Sequence, residues 1–284
     1  MKITSKKPLD LCLALLVRGA AAITCLVLVF LVGYIFVKGV PYLKPSLFSL
    51  TYTSENVSIF PAFITTLMMT FLSLLIAVPL GVFTGIYLVE YAKRGNKIIG
   101  LVSITTETLA GIPSIVYGLF GLLFFVTYLE WGFSLLAGAF TLAIMILPLI
   151  MRTTEEALKA VPDSFREGAF GLGAGRLRTV FKIVLPAAIP GILAGVILAI
   201  GRIVGETAAL IYTAGTVAQI PGLAKEGSVV FDSGRTLAVH MYALSSEGFY
   251  INEAYATAVI LLGLVIGINI LSAFIAKRLV GGSN

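Results

Sequence analysis

Apolar residues in this chain fall in long unbroken runs, not in alternation. Uncharged or nearly uncharged stretches cover residues 19–37, 61–89, 110–129, 133–151, 187–215 and 255–276. Each comes close to or exceeds the roughly 20 mostly apolar residues that carry a helix across the hydrocarbon of a bilayer. A membrane barrel would instead alternate apolar and polar residues over segments of about 10. The pattern predicts an all-α polytopic membrane protein with six transmembrane helices, read as one transmembrane domain over residues 1–284. The second and fifth runs are long enough to tilt or kink. Pro79, Pro113 and Pro148 lie inside runs, which membrane helices tolerate. The start of the third run stays open. Residues 98–109 are apolar but carry Glu107, which suits an interfacial position.

The loops set the orientation, because Lys and Arg accumulate on the cytoplasmic side. With a cytoplasmic N-terminus, Lys2, Lys6, Lys7, Lys93, Arg94, Lys97, the basic residues of 152–182, Lys277 and Arg278 all fall inside. Outside lie Lys38, Lys44, Lys225 and Arg235. Both termini are therefore expected in the cytoplasm. The net charge of +6 reflects this bias and calls for no nucleic-acid partner. The basic start before the first run is like a signal peptide, but 19–37 is longer than an h-region of about 7–15 residues and reads as a retained span.

Composition agrees and removes several classes. The chain is 58% hydrophobic and 12% charged, against about 25% charged in soluble domains. Neither a soluble surface nor a disordered chain can be made from it. Cys12 and Cys25 would lie about 20 Å apart along one helix, too far for a disulfide, and read as packing residues. His240 is the only histidine, so no His/Cys metal cluster is available. It is expected to be a partner contact or simply exposed. No GxxxxGK[ST] occurs, so the chain has no P-loop and no cofactor of its own is expected.

Two places carry candidate chemistry. The first is the cytoplasmic segment 152–182. Pro162 ends a helical stretch, Ser164 and Glu167 have the spacing of a capping box, and Gly173 offers a stop. A short amphipathic helix carrying Phe165, Ala169, Phe170 and Leu172 is expected there. Such a helix either lies on lipid headgroups or docks into a cytoplasmic partner.

The second is the pair Arg202 and Glu206 in the fifth run. Four residues apart, they share a face of a continuous helix, and that face also carries Gly191 and Gly195. Charges within the bilayer turn toward protein or a watery path, and small residues favour close helix contacts. The face is therefore expected to point inward. The pair reads as a salt bridge, or as an anion site or gate, since a guanidinium fork suits tetrahedral oxyanions. Glu107 is a further acid. It is expected to be hydrogen-bonded by Ser103, Thr105, Thr106 and Thr108, or else to gate with a basic partner.

The 167–186 segment resembles the EAA loop of permease subunits of ABC importers. Glu167, Ala169, Gly173, Ile183, Leu185 and Pro186 stand at matching positions, with Gly168 where the middle alanine is usual. The run GRIVGETAALIYTAG at 201–215 and GIPSIVYGLFG at 111–121 resemble the membrane subunits of the phosphate-specific transport system, nearest its A-type permease. This resemblance implies a type I ABC importer permease (MetI-like) fold in the inner membrane. It implies that Phe165, Glu167, Ala169, Phe170 and Gly173 couple to an ATPase, and that Arg202 and Glu206 act in transport, with Thr207 completing the matched pattern. It also implies the partners: a homologous C-type permease, two ATP-binding subunits that hold ATP and Mg, an external phosphate-binding protein, and membrane lipid.

The function so implied is non-enzymatic passage of inorganic phosphate. Sulfate, molybdate and phosphonate permeases share the EAA loop and remain alternatives. An ATP-independent carrier would be expected to show inverted repeats, which the sequence does not display. An intramembrane enzyme would need a nucleophile and a base at membrane depth. One external-loop histidine and two unpaired cysteines argue against it.

Overall fold

The computed structural model describes residues 8–92, 97–222 and 228–281, so Lys2, Lys6, Lys7, Lys93, Arg94 and Lys225 lie outside the described residues. Among the described residues the regular structure is entirely helical. In chain order the helices are α1 Pro8–Gly39, α2 Phe60–Ile86, α3 Lys97–Ala110, α4 Ser114–Gly121, α5 Leu135–Lys159, α6 Asp163–Gly171, α7 Arg176–Thr179, α8 Leu185–Val204, α9 Ala208–Thr213, α10 Leu237–Glu247 and α11 Ile251–Gly281. π-helical turns prolong α2 over Tyr87–Tyr91 and α4 over Leu122–Tyr128, and Val180–Val184 joins α7 to α8.

Five helical stretches are long and apolar enough to cross a membrane, and a sixth crossing arises if the bent pair α3–α4 counts as one. Within the third expected span, 110–129, α4 and its π-helical turn form one stretch over 114–128, and α3 meets it at 101° just before, where the start of that run was left open. Pro113 does not sit inside a helix. Its extended backbone (ψ 141°) is the N-cap of α4, a position where a missing N–H costs nothing.

The fifth expected span, 187–215, is corrected. The helix starts earlier, at Arg176, and breaks after Val204, with α9 resuming at Ala208. Expected span 133–151 runs on to Lys159, shortening the loop after it. The 216–254 loop contains an eleven-residue helix, α10, capped by the Thr236 hydroxyl and ended by Gly248 at φ +74°.

α5 is the centre of the bundle, between α2 and α8. Glycines allow the approach. A Cβ on Gly81 would meet Ile150, and one on Gly85 would meet Thr154. On the other side, Gly191 faces Ala157 and Gly195 faces Thr153. The Gly191/Gly195 face thus turns inward, as small-residue contacts between membrane helices require. Met69, Leu142, Met145, Ile146, Ile150, Ile203 and Leu210 fill the core between these helices. α1 lies against the outside of the bundle, touching α11 where Gly39 meets Tyr255 and Val259 and where the Tyr34 and Tyr255 rings cross edge to face.

Two broken helices, a tethered loop helix and a buried cationic pair

The two helix breaks lie side by side. Gly118 of α4 sits against the backbone of Ala208 and Ala209, and Gly121 against Thr141 and Thr213. The first break is tied by the Tyr117 hydroxyl, which donates to the Leu109 carbonyl at 2.7 Å. Non-helical backbone at membrane depth survives only inside protein or beside a water-filled cavity. Adjacent breaks at 111–113 and 205–207 therefore mark a polar place in an apolar bundle.

Arg202 stands at this place, in the last turn of α8, and its charge acts on Tyr117. The expected Arg202–Glu206 pairing is corrected. The helix ends between the two residues, so they do not occupy successive turns of one face. Glu206 is 9% exposed, and its Oε1 accepts the Ala209 N–H at 3.1 Å, capping α9. Arg202 is half-buried and makes no ion pair among the described residues. Thr207 lies in the break, its hydroxyl 3.5 Å from the Gly205 carbonyl. The guanidinium has no side-chain hydrogen bond among the described residues, while the carboxylate is held by backbone.

The loop helix α6 begins at Asp163, directly after Pro162. The Ser164–Glu167 capping box does not form, because the helix starts two residues too early and Ser164 is already inside it; Pro162 occupies the N-cap with no side-chain bond. The stop does form: Gly173 takes φ +79°, with Gly173 N–H donating to Phe170 and Ala174 N–H to Ala169. Ala169 is buried, while Phe165, Phe170 and Leu172 are 51%, 49% and 91% exposed and Glu167 faces outward. The helix shows apolar side chains away from the bundle.

Sequence reasoning missed what holds α6. Arg166 donates through Nη2 to Glu90 Oε1 at 2.7 Å and through Nε to the same oxygen at 3.1 Å. Nη1 reaches the Val161 carbonyl at 2.8 Å and Nη2 the Leu158 carbonyl at 2.9 Å. One guanidinium thus ties α6 to the ends of α2 and α5. Glu90, an acid at the end of a long apolar run, was the available signal.

Glu107 departs from expectation. Thr105, Thr106 and Thr108 return their hydroxyls to the carbonyls of Leu101, Val102 and Ile104, so they are spent within α3. The Ser103 side chain lies outside the described residues. Glu107 is exposed at a cleft of about 250 Å³ shared with Arg152, Glu155, Glu156 and Lys159. Both bases there are already paired, Arg152 with Glu156 and Lys159 with Glu155.

At the other end of the bundle, His240 is neither exposed nor open to a partner, since its exposure is 0%. α10 packs on α2 and α11, and the 51–58 loop closes over it, with Tyr52 edge-on to the imidazole at 6.0 Å. Arg235, 6% exposed, lies beside it and stacks on Tyr52 at 4.6 Å. Burial first, and then the Arg235 charge, push the His240 pKa from 6.5 to about 3; the Val57 backbone opposes this weakly.

Above pH 6.5 the imidazole is neutral in both states. As pH falls from 6.5 toward 3, the unfolded chain takes up a proton that the folded chain refuses, and stability drops by about 1.4 kcal/mol per pH unit. Melting measured at pH 7 and pH 5 should fall more for the wild type than for His240→Gln.

A family profile described as binding-protein-dependent transport system inner membrane component matches residues 77–281. The probable ABC transporter permease protein YqgI of Bacillus subtilis (strain 168) is 37% identical over 249 residues, 84% of this chain and 83% of that protein. The phosphate transport system permease protein PstA of Mycobacterium leprae (strain TN) is 34% identical over 211 residues, 73% of this chain and 68% of that protein. Among solved structures, an inward-facing form of the MetNI methionine ABC transporter superposes with a TM-score of 0.58 at 21% identity, covering 78% of this chain and 94% of that one.

Proposed function

The chain belongs to the family of binding-protein-dependent transport system inner membrane components, and on that footing we propose that it is one of two permeases in an ATP-driven importer of inorganic phosphate. The observation that carries this reading is the unpaired guanidinium of Arg202 beside two helix breaks. A planar fork in a half-buried, polar place suits two oxygens of a tetrahedral anion. Similarity to a protein named as a phosphate transport permease supports phosphate over other oxyanions.

Arg202 is the anion's contact on the path. Thr207 lies in the same break, and Glu206 holds the break's shape by capping α9. Glu107 sits where the cleft near α5 could close by exchanging Arg152 or Lys159 partners. Phe165, Phe170 and Leu172, with Glu167 and the turn at Gly173, form the knob that an ATPase grips. ATP and Mg are bound by that ATPase, two copies of which serve this chain and a homologous C-type permease.

Orientation follows the basic loops. The termini and α6 face the cytoplasm, and α10 faces the side from which a phosphate-binding protein delivers its cargo. Sulfate, molybdate or phosphonate would use the same fork.

Co-purification from native membranes tests the assembly. A second homologous permease and an ATPase should come out with this chain. Recovery of this chain alone, with transport driven by an ion gradient, would favour a secondary carrier.

A further inference from the structure

We propose that Arg235 and His240 form a second phosphate site, under the 51–58 loop at the α10 end of the bundle. The inference rests on the phosphate reading above and adds a station separate from Arg202.

Arg235 and His240 are 6% and 0% exposed, yet Nε and Nη2 of the arginine lack a hydrogen-bonding partner among the described residues, and the ring nitrogens of the histidine have only the Val57 backbone as a neighbouring acceptor. Nε and Nη2 lie on one edge of the guanidinium. That edge takes two oxygens of a single oxyanion. No acid answers the charge: among the described residues Arg235 makes no ion pair. Asp232, three residues earlier, spends an oxygen on the Gly222 N–H at 2.7 Å. The face of Tyr52, 4.6 Å from the guanidinium, is the available counterweight, and a ring quadrupole offsets only part of a buried charge. The N-terminus of α10 begins at the next residues and adds positive potential.

The chemistry selects a small anion. Burial keeps a carboxylate on another protein from reaching Nε and Nη2, whereas a free ion enters when Tyr52 swings off the guanidinium. A neutral imidazole offers one N–H and one lone pair. The N–H turns to the Val57 backbone, which leaves the lone pair to accept from the P–OH of hydrogen phosphate, while the guanidinium edge takes two of its other oxygens. The position is also apt. Val239, the neighbour of His240, packs in the same core as Leu210 and Ala214 of the α9 segment, so an ion released here is one helix away from the broken stretch that leads to Arg202.

His240 is the chain's only histidine and gives a clean signal. In the assembled importer, with this chain alone carrying isotope-labelled histidine and no phospholipid in the detergent, inorganic phosphate should shift the imidazole resonances and chloride should not. The shift should persist with Arg202→Ala and be lost with Arg235→Met. If Arg235→Met does not assemble, the wild-type response to phosphate against chloride decides by itself. An unresponsive signal in a wild-type complex that imports labelled phosphate overturns the outer site alone. An unresponsive signal in a complex that imports none overturns the phosphate reading as well. A signal that moves with phosphatidylglycerol and ignores inorganic phosphate assigns the cluster to a lipid headgroup and overturns the proposal.

Discussion

Arg166→Ala should leave the assembled importer hydrolysing ATP while phosphate uptake per ATP falls about 100-fold, the equivalent of roughly 3 kcal/mol. The reason is the convergence on one guanidinium. It binds Glu90 at 2.7 Å and the carbonyls of Val161 and Leu158 at 2.8 and 2.9 Å. Removing it strands a carboxylate that is 7% exposed and releases α6 from the ends of α2 and α5. Breaking one side of a buried ion pair typically costs about 3–5 kcal/mol because the other charge is left behind. Motion imposed on Phe165 and Phe170 by the ATPase would then no longer reach the spans. Glu90→Gln should be milder, since an amide oxygen still accepts from Arg166. Uptake and hydrolysis measured in the same vesicles check the ratio, and an unchanged ratio for Arg166→Ala would remove the tether from the mechanism.

The next largest effect is expected at Arg202. Arg202→Ala should lower uptake about 10- to 100-fold, since hydrogen bonds to a charged group contribute roughly 1.5–3 kcal/mol. Arg202→Lys should recover part of it, a point charge replacing a fork. Glu206 behaves differently because its carboxylate accepts from Ala209 N–H. Glu206→Gln keeps an acceptor there and should cost little. Glu206→Ala should destabilise by about 1 kcal/mol through loss of the cap. Thermal melting of the purified complex, run beside uptake, separates the two residues. A pair acting as one salt bridge would give similar losses for Arg202→Ala and Glu206→Gln.

The spans were legible because burial in lipid demands long apolar runs, and α1, α2, α5 and α11 each cover most or all of one such run, α1 starting well before its run and α5 ending well after its run. The breaks were not. Apolarity continues through Ile112 and Pro113 and resumes at Ala208, so hydropathy alone marks neither the 101° bend between α3 and α4 nor the end of α8. Two residues carried a local warning. Pro113 disfavours a helical residue before it, and Gly205 precedes the acid that caps α9.

Gly173 was legible as a stop because only a left-handed residue fits there. The Ser164–Glu167 spacing misled, since a proline just before Asp163 can start the helix earlier. The ties that matter most join distant positions. Glu90 and Arg166 are 76 residues apart, and Tyr52 meets Arg235 and His240 only after α10 folds onto α2. No period or spacing in a single sequence encodes such meetings.

Vesicles holding the purified complex should be given labelled phosphate with its binding protein on one side and ATP on the other, with no ion gradient. The prediction is accumulation that stops when ATP is withdrawn and is outcompeted by unlabelled phosphate but not by sulfate. Accumulation that proceeds without ATP on an imposed ion gradient, or that ignores phosphate and follows sulfate, would contradict it.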